Sequence, residues 1–373
     1  MDSKREQTIN SINQNTRYPD SYDFYMMNIV YDYNLNNITN EITTFAETGI
    51  LNDSIINEAI WHEAYGECRN ESIDLGTFGC TAFKMVSSKG SHIMGRNYDF
   101  KKDTSCMAVI CGPKGKLSSM GFVALDNLNA NVLDTYEKKK KCLAAPFACL
   151  DGINSAGVSI AVLTLDTPPT YQKQIGKPYI TPTLAIRAVL DNAHSAKEAV
   201  DIMRKYNMYA TGGRDYHFFI TDNTGDAHVV EYDPESEAID NFLDLTLVKD
   251  KFGKYVPVEC ATNFCIKYID RVNQKKPNVY GHGKDRYDKV INILDNHKRD
   301  CSAIVGWDAL IATSQVSGSE QTSNTQWSLI DINDAHATSL SIRRRYENKF
   351  SINFTDSNNK DKNSTNTKLR INN

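Results

Sequence analysis

The sequence predicts a sheet-rich α+β protein with helices packed outside its sheets, and three observations predict it. From Cys80 onward, short β-branched or aromatic runs alternate with Gly, Lys or Pro turns. Between Thr183 and Tyr206 that pattern gives way to two helix-like stretches. Strands then return and continue to about Phe354.

Residues 1–79 read differently from the rest. A polar opening leads into a Tyr- and Asn-rich stretch (Tyr18 to Tyr33), followed by helix-like segments at Asn40 to Phe45 and Ser54 to Tyr65. In the second, Ile55, Ile56, Ala59, Ile60 and Ala64 recur at helical spacing, which predicts one face packed on something larger. Two glycines in four residues (Gly76 and Gly79) then break the pattern, so the segment reads as a helical extension followed by a loop. The runs CTAFKMVSS, SHIMGRNYDF, CMAVICG and GFVALDNL follow as strands, with Lys89-Gly90 a hairpin connection between the first two. Ser195 before AKEAVDIMRKY has the position of an N-cap, with Glu198 at the capping-box site. Tyr216-HFFITD and DAHVVEY form another predicted hairpin, RYDKVINILDNH a helix, and TQWSLIDINDAHATSLSIRR two closing strands. The polar residues 355–373 lack the apolar content for a core and are expected to be disordered.

Composition excludes several classes. The 42 basic and 46 acidic residues give a net charge of −4, which argues against general nucleic-acid binding. No apolar run is long enough to cross a membrane, and the polar start MDSKREQTINSINQ lacks the apolar core of a secretory signal, so a cytoplasmic location is expected. Nine cysteines, none in a Cys-x-x-Cys pair, predict neither a disulfide scaffold nor a structural metal, and no cofactor is expected.

One cysteine stands apart because of its neighbours. Gly79 precedes Cys80, a strand starts there, and Arg96, Asn97 and Asp99 lie on the next strand of the hairpin, which folding returns to the thiol. An arginine beside a thiol favours the thiolate, and a carboxylate there can orient a base.

At these residues the sequence resembles the penicillin V acylase and choloylglycine (bile salt) hydrolase family, N-terminal-nucleophile hydrolases of linear amide C–N bonds. GCTAF followed sixteen residues later by GRNYDF carries the family's first two motifs at the family spacing. DGINSAGVSIAVL (151–163), Ala261-Thr262-Asn263, Asp285-Arg286-Tyr287 and TQWSLIDI (325–332) are similar to later family motifs and follow in the same order. The resemblance implies an αββα four-layer sandwich, with two antiparallel sheets between helical layers, over residues 80–354. It implies that Cys80 is the nucleophile and its own α-amine the base. Asp99 would hold that amine, Arg96 would stabilise thiolate and contact the substrate amide, Asn263 would donate to the oxyanion, and Arg286 would complete the charge network. Where the family carries Asn or Tyr as a second oxyanion group, this sequence has Thr164. A free amine on Cys80 requires self-cleavage at Gly79-Cys80, which would make residues 1–79 a mainly helical pro-region, expected to be removed. The substrate would be a small-molecule N-acyl amide. Residues 100–147 and 165–182 are read as pocket loops that select it. Relatives are often homo-oligomers, and the sequence leaves that state open.

Three alternatives accompany this reading. The same site can pass its acyl group to an amine and act as an acyltransferase. Cys80 can instead work internally with a histidine base, for which His217 and His228 are the candidates. The chain can also stay unprocessed and serve as a binding module. Asn154 and Gly157 are read as shaping a turn rather than touching substrate.

Overall fold

The computed structural model describes residues 1–16, 24–66, 79–88, 90–100, 104–272, 280–297, 303–314, 324–331, 336–342, 350–353 and 371–372; residues 15–16, 100, 303 and all those from 324 on are described by backbone alone. The expected break at 74–79 falls mostly outside this set, as do Lys89 of the predicted hairpin turn and most of the polar tail.

The chain begins with α1 (Ser3–Asn10), β1 (Asn13–Thr16), β2 (Phe24–Asn28), α2 (Leu35–Glu47) and α3 (Asp53–Tyr65). Asn34 and Asn52 cap α2 and α3 by accepting from backbone amides of the first turn, as short polar side chains do. Strands β3 (Gly79–Val86), β4 (His92–Phe100), β5 (Cys106–Cys111) and β6 (Ser119–Ala124) follow, then a short helix α4 (Tyr136–Lys141). Next come β7 (Asp151–Asn154), β8 (Val158–Leu165), β9 (Tyr179–Ile180), α5 (Pro182–Asn192), α6 (Ala196–Met203) and β10 (Asn207–Met208). Strands β11 (Asp215–Asp222), β12 (Ala227–Tyr232), β13 (Phe242–Leu245), β14 (Leu247–Lys249), β15 (Tyr255–Pro257) and β16 (Cys260–Ala261) precede α7 (Lys284–Asn296) and α8 (Ala303–Thr313). The last strands are β17 (Asn324–Asp331), β18 (His336–Ile342), β19 (Phe350–Asn353) and β20 (Ile371–Asn372).

Two large sheets result. One has the order β1-β2-β5-β6-β7-β8-β11-β12-β13 and the other β16-β3-β4-β17-β18-β19-β20. Helices α5 and α6 pack on β7, β8, β11 and β12, whereas α7 and α8 pack on β3, β4, β16 and β17. This is the expected αββα layering. Ser195 caps α6 by accepting from Glu198 N at 3.1 Å, although the Glu198 carboxylate accepts from His194 N rather than closing the capping box. The β3–β4 hairpin keeps continuous register from Gly79↔Asp99 to Val86↔His92.

The segment before Cys80 is mainly helical, as expected, and adds two strands that the sequence did not reveal: β2 pairs in parallel with β5, from Phe24↔Cys106 to Asn28↔Ile110, and β1 pairs with β2. Parallel pairing across some eighty residues leaves no hairpin signal in the sequence. Residues 100–147 are not simply pocket loops, because β5 and β6 within them are buried at every position in the middle of the large sheet. In the polar tail, Ile371 and Asn372 pair with β19.

Side chains before and after Cys80 share one apolar core, in which Phe24, Met27, Ile38, Ile60 and Trp61 join Phe122, Leu143, Leu184 and Phe218. Polar contacts cross the same seam. Tyr31 Oη donates to Leu143 O at 2.6 Å, Tyr33 Oη to Asp191 Oδ1 at 2.9 Å, and Tyr179 N to Thr43 Oγ1 at 2.8 Å. Arg187 forms an ion pair with the same Asp191 at 2.7 Å, fully buried.

Candidate active site

Alternation along β3 and β4 sorts the hairpin's side chains onto two faces. Arg96 points inward, between the sheets. Its Nη2 donates to Val162 O of β8 at 2.8 Å, and its Nε lies 3.3 Å from Asp151 Oδ2 at the start of β7. Ala82 pairs with Arg96 and Cys80 with Tyr98, so Cys80 lies on this inner face too. The neighbouring positions Thr81, Asn97 and Asp99 face the outer helices. Asn97 Nδ2 donates to Leu310 O of α8 at 2.7 Å, and Thr81 Oγ1 accepts from Arg286 Nη1 of α7 at 3.2 Å. The backbone nitrogen of Cys80 lies in the sheet between the two faces, open to the thiol from one side and to outer-face groups from the other.

In this uncleaved chain that nitrogen is a peptide N–H. It donates to Asn263 Oδ1 at 2.6 Å. Asn263 Oδ1 also accepts from Arg286 Nη2 at 2.8 Å, and Arg286 Nη1 donates to the carbonyl oxygen of Cys80. Asn263 Nδ2 donates to Thr164 O at 2.8 Å and to Thr164 Oγ1 at 3.1 Å. The structure therefore brings together Cys80, Arg96, Asp99, Thr164, Asn263 and Arg286 from β3, β4, the end of β8, the loop after β16 and the first turn of α7. All six are buried, none more than 5% exposed. Thr164 accepts a hydrogen bond from Asn263 through its hydroxyl, whose own hydrogen remains available to donate.

The start of α7 can approach this loop only because of a glycine. Gly281 has φ of +105°, and a Cβ there would collide with the carbonyl oxygen of Asn263. His282 N donates to that same oxygen at 2.8 Å.

Electrostatics qualify the expectation for the thiol. Burial pushes the Cys80 thiol above its usual range; Arg96 and Arg286 pull the other way, and Asp99 adds to the rise. Arg96 thus favours the thiolate as expected, but in the closed, uncleaved chain burial outweighs it. The same burial lowers the Arg286 guanidinium, which the Asp99 charge counters.

Asp151 was not singled out from the sequence, although its motif was. Burial pushes its carboxyl up to about 6 despite Arg96 beside it. The signal was available: an arginine expected between two sheets requires a buried counter-charge, and DGIN supplies one at a strand start. Asn154 does shape a turn, with Oδ1 accepting from Ala156 N and Val158 N while Gly157 adopts φ of +82°.

The histidine alternative finds no geometric support. His217 Nδ1 lies 3.0 Å from Glu231 Oε1 and its Nε2 2.6 Å from Thr262 O. His228 lies between Asp244 and Asp226 at 2.6 and 3.1 Å. Both rings are occupied on both sides by groups other than Cys80. Among the described residues, no group of His, Cys, Asp and Glu is placed to hold a metal ion, and no helix is long and apolar enough to cross a membrane.

Comparison with known proteins follows the same lines. Residues 80–252 match the family model described as linear amide C-N hydrolases, choloylglycine hydrolase family. Two solved structures of the conjugated bile acid hydrolase from Clostridium perfringens are similar in fold. One is a cysteine-to-alanine mutant at 16% identity, the other an arginine-to-leucine variant at 18%. Each has a TM-score of 0.52 and covers 79% of this chain, with 96% and 97% of the solved chain covered. Penicillin V acylase from Agrobacterium tumefaciens aligns at 16% identity over 74% of this chain and 86% of its own, with a TM-score of 0.45. No curated protein matches. The fold is that of the N-terminal-nucleophile hydrolases, as the motifs around Cys80 implied.

Proposed function

We propose that this chain is a linear amide C–N hydrolase, a reading supported by the match of residues 80–252 to the choloylglycine hydrolase family model, and that Cys80 is its nucleophile, freed by self-cleavage of the Gly79–Cys80 bond. The observation that carries this reading is the hydrogen bond from the Cys80 backbone nitrogen to Asn263, within a buried cluster of Arg96, Asp99, Thr164 and Arg286. A structural cysteine needs no such company around its peptide nitrogen.

In the first step the Cys80 sulfur attacks the Gly79 carbonyl carbon. The C–N bond breaks, the thiol proton passes to the departing nitrogen, and a thioester remains on sulfur with a free α-amine on Cys80. Water hydrolyses the thioester, leaving a Gly79 carboxylate and regenerating the thiol. Glycine before the bond crowds neither the attack nor the turn it requires.

The α-amine, with an ordinary pKa of about 7.7–8, then serves as base near neutral pH. It takes the thiol proton as sulfur attacks the amide carbonyl of a small-molecule N-acyl substrate, and returns it to the leaving amine. Water, activated by the same amine, releases the acid from the thioester. Asp99 on the outer face holds the ammonium, and Arg96 on the inner face favours thiolate. The Asn263 side-chain amide donates through Nδ2 toward the oxyanion, a role worth roughly 3 kcal/mol of barrier in comparable sites, while its Oδ1 accepts from the Cys80 nitrogen. Thr164 orients the Asn263 amide. Arg286 spans the Cys80 carbonyl and Asn263 and fixes both.

Residues 1–79 are then a cleaved segment that stays in place. The parallel β2–β5 pairing, the shared core and the Tyr33–Asp191 contact support retention over release.

Intact mass of the purified protein beside Cys80→Ala tests this. Wild type is expected to split into a fragment of roughly 9 kDa, scaling 42.0 kDa by 79/373, and a chain beginning at Cys80, the two co-eluting until denatured. Cys80→Ala stays whole and inactive. A whole wild-type chain that hydrolyses N-acyl amides, or a Cys80→Ala protein that still cleaves, sinks the reading.

A further inference from the structure

His217 is fully buried and serves no step of the chemistry above, yet it touches the residue next to Asn263. Its Nε2 is 2.6 Å from the Thr262 carbonyl oxygen, which can only accept, so Nε2 carries a hydrogen. Its Nδ1 is 3.0 Å from Glu231 Oε1. Glu231 itself receives two backbone donors, Ile266 N on Oε1 at 2.6 Å and Lys267 N on Oε2 at 3.1 Å, which hold its carboxyl group in place. The ring is locked between the Thr262 carbonyl and the Glu231 carboxyl, with neither nitrogen turned toward Cys80.

Its two strands belong to the large sheet, whereas Thr262 follows β16 of the smaller one. The contact therefore ties the oxyanion loop of one sheet to the floor of the other. Three bonds surround Asn263: His217 to the carbonyl before it, His282 N to its own carbonyl, and Thr262 Oγ1 to Gly283 O at 2.9 Å. Rotation of the Thr262–Asn263 peptide would swing the Asn263 side chain away from Cys80, and the short bond from His217 to the Thr262 carbonyl opposes that rotation most directly.

We infer that His217, paired with Glu231, is a positioning residue that sets the orientation of Asn263 through the Thr262 carbonyl. The inference rests on the role proposed for Asn263. Pre-aiming such a donor matters because a small misplacement costs far more in rate than in binding.

The test uses the full chain with fluorogenic N-acyl aminomethylcoumarins, from acetyl to palmitoyl, as probes. His217→Leu is expected to lower kcat by ~30- to 100-fold with KM within ~3-fold, because the ground-state complex does not use the oxyanion contact. His217→Gln places an amide donor where Nε2 lies and is expected to recover most of that loss. In an Asn263→Ala background His217→Leu should cost little more, since both changes remove the same interaction. If His217→Leu does not fold, Glu231→Gln supplies the measurement, with a ~10-fold lower kcat at unchanged KM expected. Variants that lose thermal stability but keep wild-type kcat overturn the inference, as do losses that add fully to that of Asn263→Ala. Turnover retained by Cys80→Ala is a different failure: it removes the nucleophile reading and this inference with it.

Discussion

The two sides of the Gly79–Cys80 bond differ in chemistry and hardly at all in packing. After the bond lie the buried polar cluster and the matched family region; before it, nothing in the sequence suggests chemistry. Yet Trp61 and Phe24 on one side are as deeply buried as Phe83 and Phe218 on the other, in one continuous core. A cleavage point in such a protein is a boundary between reacting groups rather than between folding units. A segment that reads as a removable extension can still be structural.

The strongest way to break this comparison is to omit the first segment. Residues 80–373 expressed alone are expected to be insoluble, and co-expression with 1–79 to restore a soluble complex, as judged by size-exclusion chromatography. A soluble, active 80–373 chain would show that the first segment is only a cover.

A second test lies on the nucleophile's side. Burial pushes the Asp215 carboxyl up to about 7 from an ordinary 3.8, with Thr170 Oγ1 donating to it at 3.0 Å. The folded state then binds a proton that the unfolded chain has lost between pH 4 and 7, so stability falls as pH rises through that window and levels off above it. The shift corresponds to about 4 kcal/mol at most. Asp215→Asn should flatten this slope in denaturant melts across the window; an unchanged slope would show that Asp215 is ionised when folded.

The smallest effect sharpens the seam itself. Tyr33→Phe removes the hydroxyl from Asp191 but leaves Arg187 paired with it, and should lower the unfolding free energy by about 1 kcal/mol. The loss should be the same before and after cleavage. A larger loss in the cleaved protein would mean that the first segment is held by this contact more than by its strands.

Local features were legible in the sequence and long-range ones were not. The β3–β4 hairpin showed in its alternation, and Gly79-Cys80 with Arg96 and Asp99 showed at a spacing the hairpin itself sets. Asn263 and Arg286 were reached only through resemblance, because no periodicity links them to a strand nearly two hundred residues earlier. The contact of Asn263 with Thr164 depends on how two sheets stack. Asp151 was missed as a counter-charge and β2 as a strand, since Phe24 to Asn28 sits in a Tyr- and Asn-rich stretch and pairs with nothing nearby in sequence. Helix α8 was missed for another reason: its residues are apolar around most of their circumference and give no stripe to read.

The β2–β5 pairing also bears on the fate of the enzyme outside its reaction. β5, CMAVIC, is six buried residues without a charge, flanked by β2 on one side and β6 on the other. Loss of the cleaved fragment would leave it a bare, uncharged sheet edge, the kind that recruits other chains into aggregates. If the Gly79–Cys80 bond is cut as proposed, the lifetime of the protein is set by how long the severed peptide keeps that edge covered.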